Sequence, residues 1–484
     1  MLQPYLKKLI ASVQYPSLWI LISISSLFLF LCSSLKHSVY KSTAFDLGIF
    51  DQALYLISQG KAPFSSLTGW HILADHAAFI LYPLSLLYWI YPDVHWLLMV
   101  QAIALSFACY PAFKLALQAG LTRSQGMVVS TVCLLYPVVF RINLFDFHPE
   151  VIALPSILWM VLAARSRHIG AFCIALLITL GCKDALSLTV AAIGLWMIFF
   201  ETRKKYGFLS FSAGIAWFFI ASKVVIPTFY PEEVVSVSRY LDRYSELGGS
   251  AQEILQNTFV QPQLMLSRIF SFETFGYLFL LCLPVIYIFL AGNMSPLLQL
   301  VPAVPTLIMN ILANSDAGVH RDLAYQYSLP IIPFLLLAVI ACFQERHFSF
   351  FSGRRGRITI ITWAVASFLI LARPISFFES YNDSIDRLQA TEQAVARVRG
   401  DGSVLTTAEI VPHLSHRSLI EIAYADRDPN LARFDTVLLD TNRPGWMSNE
   451  TFSMSLVSQL NYDDEFRLDY EQDGVYLFIR NTAN

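Results

Sequence analysis

Charged side chains are scarce in this sequence. They make up 14% of its 484 residues, whereas hydrophobic side chains make up 56%. Soluble domains carry roughly 25% charged residues, so this deficit argues against a soluble protein and places most of the chain in lipid. The net charge of −2 also gives no sign of the basic surface that binds nucleic acid.

Cysteine outside the apolar runs is missing as well. All seven cysteines lie within apolar runs, where a cysteine normally behaves as a small hydrophobic residue. This distribution gives no ground for a disulfide framework or a metal cluster. The chain also lacks a phosphate-cradling glycine loop, a nucleophile elbow, zinc-ligand spacing and a dinucleotide fingerprint. Soluble nucleotide chemistry therefore has no support.

The chain does contain a series of long apolar runs. A helix needs about 20 apolar residues to cross a bilayer, and shorter runs can span with help from neighbours or local thinning. The first run is long for a signal sequence and lacks a convincing cleavage site, so we interpret it as a retained anchor. The eleven predicted spans are 17–35, 95–117, 125–143, 150–165, 169–182, 184–200, 207–226, 274–291, 295–313, 327–343 and 357–373.

Basic residues beside the spans predict the orientation, because basic connections stay in the cytoplasm. Counting spans from them places the amino terminus inside and both Asp46 and Asp146 outside, provided that 77–91 does not cross. This apolar segment is short and contains Pro83, which favours a re-entrant or surface-lying helix. If it does cross, the two aspartates lie on opposite faces. The basic residues used are Lys7, Lys8, Arg165, Arg167, Arg203, Lys204, Lys205, Arg346, Arg354, Arg355 and Arg357.

The predicted fold is mainly α. A polytopic transmembrane helix bundle with about eleven spans and one re-entrant or juxtamembrane helix occupies residues 1–376, with external loops at 36–94 and 227–273. A small extracytoplasmic α/β domain occupies residues 377–484. Its strands are predicted at 404–407, 419–422, 436–439 with Asp440, and 475–479.

Three ionisable groups stand between two apolar runs, in the string Phe-Asp-Phe-His-Pro-Glu that ends at Glu150. Charges near bilayer depth are costly and usually face a cavity or a partner, so they are functional-site candidates. Pro149 fits the first turn of the following helix, and one of these groups could simply cap that helix. Capping needs one acceptor, however. We predict that Asp146 is catalytic and that His148 binds substrate, and we leave Glu150, a further candidate for substrate binding, open between the two interpretations.

Asp46 and Asp51 form a second acidic cluster, in a segment whose apolar stripe predicts an amphipathic helix on the outer surface. We predict a catalytic or binding role for Asp46. The alternative is that Asp46 caps the start of the helix. Asp51 lies five residues away and need not share its face, and we keep it as a candidate for substrate binding.

Two neighbouring pairs add further candidates. Asp75 and His76 precede the segment 77–91, and a carboxylate beside an imidazole can bind a metal or, through the protonated ring, a phosphate. Lys183 and Asp184 interrupt two apolar runs. Lys183 could attract a phosphate while Asp184 orients another group, or the two could merely neutralise each other.

A polar patch between two later spans contains His320 and Arg321. A guanidinium forks onto phosphate oxygens, so Arg321 is a plausible phosphate contact, although such a loop could also be only solvated. A divalent cation bound by Asp46, Asp146 and His148 stays an open possibility. No other cofactor is indicated.

These motifs together resemble a family of bacterial membrane proteins catalogued as domain of unknown function 2079. The resemblance covers nearly the whole chain, and the string from Phe145 to Glu150 is fairly specific to it. The family pattern has Lys-Glu-Asp where this chain has Cys182, Lys183 and Asp184, so only Asp184 matches and a family role for Lys183 lacks support. The matching strings are 45–52, 75–76, 143–150, 183–186 and 412–417.

In layout this family is similar to the C-type glycosyltransferases, which are polytopic enzymes with an acidic residue in the first external loop and usually polyprenyl-phosphate-linked sugar donors. The resemblance implies that Asp46 falls where a catalytic base or metal-binding carboxylate would be. It implies that Asp146 falls where a second acidic site residue appears, and that 77–91 matches an external juxtamembrane helix. It also implies a bacterial inner-membrane location.

The function predicted is an integral-membrane glycosyltransferase that moves a sugar from a lipid-linked donor to an envelope glycan, lipid or protein on the outer face. Asp46 would deprotonate the acceptor hydroxyl, and Arg321 or His76 would stabilise the departing phosphate. One alternative is a transporter or flippase, which predicts charges buried mid-span and two related halves, and neither is evident. The other is a non-catalytic scaffold whose outer domain binds an envelope partner.

Overall fold

The computed structural model describes residues 15–230, 243–314, 319–345, 353–385 and 388–481. Three basic residues used for the orientation, Lys7, Lys8 and Arg346, lie outside these ranges. Residues 231–242 of the predicted loop 227–273 also lie outside them.

The described part of the chain is mainly helical. Its helices are Pro16–Ser38, Ile49–Ser58, Ile72–His76, Leu81–Ile90, His95–Phe107, Cys109–Gln118, Arg123–Leu134, Pro137–Leu144, Glu150–Arg165, Ile169–Cys182, Leu186–Phe199, Lys204–Ile220, Ile226–Phe229, Ala251–Val260, Pro262–Ile269, Phe272–Cys282, Ser295–Leu298, Val304–Leu312, Ile332–Gln344, Arg354–Leu371, Pro374–Ile385, Leu388–Arg397, Val411–Leu414 and Glu450–Asn461. Shorter 3₁₀ or π segments are Ala44–Gly48, Ala221–Val225, Leu283–Leu290, Val301–Ala303, Gln326–Ile331 and Leu431–Arg433. The strands are β1 (Phe64–Ser65), β2 (Trp70–His71), β3 (Val404–Thr406), β4 (Ile420–Ile422), β5 (Thr436–Asp440), β6 (Phe466–Gln472) and β7 (Val475–Arg480).

Seven helical stretches within the described residues are long and apolar enough to cross a membrane, and each coincides with a predicted span. They are Pro16–Ser38, His95–Gln118, Arg123–Leu144, Lys204–Phe229, Phe272–Leu290, Ser295–Leu312 and Val319–Gln344. The other predicted spans, 150–165, 169–182, 184–200 and 357–373, also contain helices. The helical membrane bundle is therefore confirmed, while the count of eleven crossings stays a prediction.

Small residues allow two of these helices to pack closely. Leu186–Phe199 lies against Lys204–Ile220, and a Cβ added at Gly194 would lie 2.4 Å from the Phe211 nitrogen. A Cβ at Gly214 would lie 2.6 Å from backbone atoms of the facing helix. Helices in lipid associate through this kind of close backbone contact. The packed hairpin begins directly after Lys183 and Asp184 and so fixes where these two residues lie.

The segment between the first helix and His95 begins and ends at the same end of the bundle. The rings of His37, at the end of the first helix, and His95 have centroids 5.5 Å apart. The intervening helix Leu81–Ile90 has 10 residues and is about 15 Å long, about half of the roughly 30 Å hydrocarbon core. Trp89 donates a hydrogen bond to the Ser58 carbonyl, 2.9 Å, so this helix lies beside Ile49–Ser58. A short helix whose two flanking segments lie at the same end of the bundle is what the re-entrant interpretation requires. Which side of the membrane this end faces stays a prediction.

Residues 404–480 contain one five-stranded sheet of order β4-β3-β5-β7-β6. The pairs β3–β4 and β3–β5 are parallel, and β7 runs antiparallel to β5 and β6. Apolar side chains cover both faces, because Val437 and Leu439 pack in one cluster with Leu456, while Leu438 belongs to the other core with Ala390. This small α/β unit, called the C-terminal domain below, matches the predicted composition of the tail. Its boundary near residue 376 stays a prediction.

Strand β6 is the one strand of this sheet that the sequence pattern did not predict. It lies at the sheet edge, and Arg467, Leu468, Glu471 and Gln472 are exposed along it. An edge strand buries one face at most, so its sequence is mostly polar and resembles a loop. Strands β5 and β7, which are flanked on both sides, contain the apolar runs 437–439 and 475–479 that indicate a strand.

Asp51 joins the C-terminal domain to the helix Ile49–Ser58. Its side chain is 1% exposed. The Tyr88 and Ser415 hydroxyls donate hydrogen bonds to the carboxylate, and His416 Nε2 lies 3.1 Å from Asp51 Oδ2. A buried carboxylate with three such partners is costly to disturb. The structure thus places Asp51, a predicted substrate-binding residue, in the interface between the two parts of the chain.

A second histidine, His413, lies in the short helix Val411–Leu414 just before Ser415 and His416. The ring of His413 stacks 4.0 Å from the rings of both His37 and Tyr40. Burial lowers the pKa of His413 to about 4. Burial also acts to lower the pKa of His416, but the Asp51 carboxylate outweighs it and raises that pKa above the ordinary value.

We expect acid to loosen this interface through His413. A group whose folded-state pKa is depressed stabilises the folded protein above its unfolded pKa and loses that contribution as the pH falls toward the folded value. For His413 this window runs from 6.5 down to about 4. The His416–Asp51 pair has the opposite sign, because its contribution is lost as the pH rises through the elevated pKa. Hydrogen-exchange protection of residues 411–422 should therefore fall between pH 6.5 and pH 4.5.

The control for this expectation is His413→Phe, which keeps an aromatic ring in the stack and cannot be protonated. This variant should keep its protection factors at pH 4.5. An equal acid-induced loss in the variant and in the original protein would assign the loosening to other groups.

Candidate active site

Two ion pairs lie side by side at the end of the bundle that carries residues 39–94. His148 Nε2 lies 3.1 Å from Asp46 Oδ1, and Lys36 Nζ lies 2.6 Å from Asp146 Oδ1. The two acidic clusters of the sequence therefore meet at one end of the bundle.

Asp46 and Asp146 both have a left-handed backbone, with φ of 79° and 89°. Asp46 also has ψ of −90°, close to a turn geometry that is rare and strained. Aspartate tolerates positive φ better than most residues, but such conformations still cost about 1–3 kcal/mol and cluster at active sites. Within the described residues, no side chain caps the helices that begin at Ile49 and Glu150. The capping alternative is therefore wrong at both places.

Asp146 is a buried carboxylate whose two oxygens are both engaged. It is 3% exposed; Lys36 pairs with Oδ1, and the Thr43 backbone N–H donates to Oδ2 at 3.0 Å. The Thr43 hydroxyl in turn donates to the Phe45 carbonyl at 2.7 Å. Asp146 thus holds the turn that carries Asp46, which is a positioning arrangement.

His148 is the buried partner of Asp46. Its backbone N–H donates to the Gln101 side chain at 3.2 Å, and its ring stacks on Phe145 with centroids 5.2 Å apart. Burial acts to lower the pKa of His148, but the carboxylates of Asp46 and Glu150 outweigh it and raise the pKa. His148 is 3% exposed and Asp46 is 31% exposed, so the accessible side of the pair is the Asp46 carboxylate.

Glu150 and Lys183 form a third pair, buried at 5% and 10% exposure. The Lys183 ammonium also lies 5.8 Å from the centre of the Tyr327 ring. The His320 ring stacks on the same Tyr327 ring, with centroids 3.9 Å apart. Lys183 therefore neutralises Glu150 rather than its neighbour Asp184. Of the predicted residues, the structure brings Glu150, Lys183 and His320 together.

His76 lies between two carboxylates. Its Nδ1 is 3.5 Å from Asp184 Oδ1 and its Nε2 is 3.7 Å from Asp75 Oδ2. The Asp184 backbone N–H donates to the His76 carbonyl at 3.0 Å, which ties the two segments together. Arg321 follows His320 in the chain, but the described contacts do not join it to these pairs, and its phosphate role stays a prediction.

A basic pocket of about 340 Å³ adjoins these pairs. Its described lining includes four cationic side chains and apolar walls, and two of the cations have a carboxylate nearby: Lys36 pairs with Asp146, and Arg141 Nη2 lies 3.6 Å from Asp322 Oδ1. This combination suits an anionic headgroup attached to an apolar chain. The cations are Lys36, Lys41, Arg141 and Arg373, and Leu144, Phe145, Ala372 and Phe377 supply apolar walls.

The four cations of the basic pocket were not predicted as site residues, although the sequence carries a signal for them. Lys36, Arg141 and Arg373 each lie at or near the end of a span that the orientation assigns to the outer face. The positive-inside rule expects few basic residues there. Basic residues that break the rule are therefore candidates for binding an anion.

The three residues suggested for a divalent cation do not fit one. Among the described residues, no group of three or more histidine, cysteine, aspartate or glutamate side chains could hold a metal ion. Asp146 is engaged by Lys36 and the Thr43 amide, so it does not join Asp46 and His148 as a ligand.

The family model described as "Predicted membrane protein (DUF2079)" matches residues 36–477. The chain belongs to this family. The match includes every residue of the ion pairs above, from Lys36 to Asp184. The residues of this site can therefore be compared with the corresponding residues of other DUF2079 proteins. No curated protein matches the sequence.

Solved structures that share the fold include two of the same protein. The crystal structure of ArnT from Cupriavidus metallidurans bound to undecaprenyl phosphate has a TM-score of 0.58 at 9% identity, covering 96% of this chain and 98% of that one. The apo form has a TM-score of 0.53 at 10% identity and covers 97% and 98%. At this identity the likeness shows the fold alone, and that fold extends over nearly the whole length of both chains.

Proposed function

We propose that this protein is an integral-membrane glycosyltransferase that moves a sugar from a polyprenyl-phosphate donor to an envelope acceptor on the outer face of the membrane. The observation that carries the proposal is the setting of Asp46. Its carboxylate is accessible, lies in a strained turn, is paired with the buried His148, and stands beside a basic pocket with apolar walls.

Asp46 acts as the general base in this proposal. The acceptor oxygen attacks the anomeric carbon of the sugar, and its proton passes to the Asp46 carboxylate. The bond between the anomeric carbon and the phosphate oxygen breaks, and its electron pair leaves with the polyprenyl phosphate. His148 orients the carboxylate, and Asp146 holds the turn from Thr43 to Asp46.

The basic pocket receives the lipid phosphate. Charge develops on the phosphate as the bond to the sugar breaks, and fixed cations at that position stabilise the transition state. Arg141 and Arg373 line the pocket together with Phe145 and Phe377. Phe145 also stacks on His148, so one ring adjoins both the phosphate site and the Asp46 pair. A fold shared with a protein solved with undecaprenyl phosphate supports this donor class.

Most of the other predicted substrate-binding residues also have a role in this proposal. We propose that Glu150, Lys183 and His320 hold the sugar side of the site, and that Asp75, His76 and Asp184 fix the loop that borders it. Asp51 acts at a distance, by docking the C-terminal domain.

The test is transfer by the purified protein in lipid nanodiscs, with radiolabelled polyprenyl-phosphate sugars and envelope extracts as acceptors. Label should move from the lipid to an acceptor. Arg141→Gln and Arg373→Gln should each raise the KM for the donor about 10–100-fold, since a hydrogen bond to a charged group contributes about 1.5–3 kcal/mol. Arg467→Gln, on the exposed edge strand, should leave transfer unchanged. If the labelled lipid crosses the membrane of proteoliposomes without any sugar transfer, the protein is a flippase and the proposed function is wrong.

A further inference from the structure

The loops that follow strands β3 and β5 border a cleft at the end of the bundle. These two strands are parallel neighbours, so their loops leave the same edge of the sheet. The loop after β3 leads to β4 on one side, whereas the loop after β5 leads through the helix Glu450–Asn461 to β6 on the other. Loops that diverge in this way leave a crevice, where open α/β sheets commonly bind their ligands. Here the cleft has a volume of about 650 Å³ and is lined by Thr407 after β3, Arg443 after β5 and Thr43 of the bundle.

An exposed tryptophan stands in the loop after β5. Trp446 is 58% exposed, and its ring lies at 90° to the Phe45 ring, with centroids 5.3 Å apart. Phe45 directly precedes Asp46 in the chain. A Cβ added at Gly445 would lie 3.2 Å from the Ala408 nitrogen, so the loop also packs against the loop after β3. Trp446 therefore lies beside both the turn of the proposed base and the cleft.

The backbone around this tryptophan is held in place. Met447 has a left-handed backbone with φ of 72°, and its carbonyl accepts the Ala425 N–H at 2.9 Å. Asp440 fixes the start of the loop by accepting the backbone N–H groups of Asn442 and Arg443, at 3.1 and 3.0 Å. A non-glycine residue at positive φ costs free energy and is typical of binding sites. Exposed apolar side chains in a loop of this kind indicate a surface that binds something.

The Thr407 side chain lines the cleft without a hydrogen bond. It is 1% exposed, and its hydroxyl has no partner in the part of the chain that the structure describes. Burying a hydroxyl in this way is costly, and in folded proteins a ligand or an ordered water normally binds it. A sugar hydroxyl suits this position, because it can both donate to and accept from a threonine hydroxyl.

The charges around the cleft select neither an anion nor a cation. Lys36 pairs with Asp146 at 2.6 Å, and Lys41 also has an interaction within the protein. With Asp146 counted, the basic and acidic side chains are equal in number: the described lining contributes Lys36, Lys41 and Arg443 against Glu409 and Asp440. An exposed aromatic ring, a free hydroxyl and balanced charge together fit a neutral sugar, which has an apolar face of C–H groups and hydroxyls at its rim.

We propose that Trp446 stacks against a neutral sugar ring of the acceptor, that a hydroxyl of this sugar bonds to Thr407, and that the acceptor is therefore a glycan. This inference rests on the proposed function, because it assigns the second substrate of the same reaction. The C–H face of the sugar lies on the indole ring, and the reacting hydroxyl reaches the Asp46 carboxylate. Bond making and proton transfer are those of the proposed reaction.

Binding measured without any donor tests the Trp446 contact by itself. The full-length protein in nanodiscs is titrated with three neutral ring sugars, cellobiose, mannobiose and chitobiose, and with sorbitol, which has hydroxyls but no ring. Saturation-transfer NMR reports binding and the sugar protons in contact. We expect at least one ring sugar to bind about tenfold more tightly than sorbitol, with its C–H protons saturated most. Equal binding of sorbitol, or no binding of any ring sugar, would overturn the proposal. Tighter binding of cellobiouronic acid than of cellobiose would contradict the assignment of a neutral sugar.

Variants then locate the contact. Trp446→Ala should weaken binding of the ring sugar about 10–100-fold, the effect of losing a central aromatic contact, and Trp446→Phe should restore most of it. Thr407→Val should weaken binding about fivefold. Tyr462→Ala is the matched control, since Tyr462 is a 91% exposed aromatic residue of the same domain, and it should bind normally. Unchanged binding in Trp446→Ala, which is expected if the ring instead rests on lipid headgroups, would overturn the proposal.

Transfer kinetics separate this inference from the proposed function. Trp446→Ala should raise the KM for a glycan acceptor about 10–100-fold and leave kcat almost unchanged. If the ring sugar binds through Trp446 but no acceptor is glycosylated, the sugar contact stands and the proposed function fails. If transfer occurs and Trp446→Ala leaves the KM for the acceptor unchanged, the proposed function stands and the sugar contact fails.

Discussion

Asp46→Asn is expected to lower the rate of sugar transfer about 10²–10⁴-fold, the range that a positioned general base contributes. Asparagine keeps the size of the side chain, and it tolerates a positive φ about as well as aspartate does. The strained turn, with φ of 79° at Asp46, should therefore persist, and only the capacity to accept a proton is lost. The measurement is kcat in the nanodisc assay, with the KM for the donor expected to change little.

The comparison for this prediction is Asp469→Asn, which removes a carboxylate from strand β6 of the C-terminal domain and should leave kcat unchanged. Thermal unfolding of Asp46→Asn should match that of the original protein, since His148 retains a hydrogen-bonding neighbour. If transfer by Asp46→Asn stays within threefold of normal, another group takes the proton and the assignment of the base is wrong.

The second large effect is expected on stability, at the buried pair of Glu150 and Lys183. Lys183→Met leaves the Glu150 carboxylate, 5% exposed, without its cation. Breaking a buried pair from one side costs about 3–5 kcal/mol, because the remaining charge stays desolvated. The measurement is the unfolding temperature in detergent, which should fall clearly, together with loss of the folded protein during purification.

A double variant separates the charge from the packing. Glu150→Leu combined with Lys183→Met removes both charges and should recover most of the stability, as apolar replacement of buried pairs often does. Glu421→Gln gives the surface comparison, since its partner Arg433 is 50% exposed and such pairs contribute about 0–1 kcal/mol. A double variant as unstable as Lys183→Met would show that the shape of these side chains matters more than their charge.

Much of this architecture can be predicted from the sequence because lipid imposes simple rules. The apolar runs that predicted Pro16–Ser38 and His95–Gln118 became helices of the predicted type, since a backbone in lipid must satisfy its own hydrogen bonds. The charges at Asp46, Asp146 and His148 predicted a site because buried charge is expensive. Capping was a reasonable alternative at each, and only the positions of the side chains could exclude it.

The contacts between side chains that are distant in the sequence could not be predicted in the same way. Lys36 donates a hydrogen bond to Asp146, and the two residues are 110 positions apart in the chain. No local sequence pattern links residues at such a distance. Asp51 illustrates the same limit, because five residues from Asp46 it serves a different purpose, holding Ser415 and His416 of the C-terminal domain. Sequence spacing specifies the face of a helix and leaves the opposing surface unspecified.

The sequence and the tertiary structure each explain a different part of the string from Phe145 to Glu150. Its composition alone determined that the chain carries costly charge at the end of an apolar span, and it predicted a function for this charge. Only the tertiary structure decided that Asp146 holds a turn, that His148 pairs with Asp46, and that Glu150 pairs with Lys183. The physical reason is that desolvation acts on each residue wherever it is buried, whereas an ion pair needs two atoms within a few ångströms, and only the fold of the whole chain sets that distance.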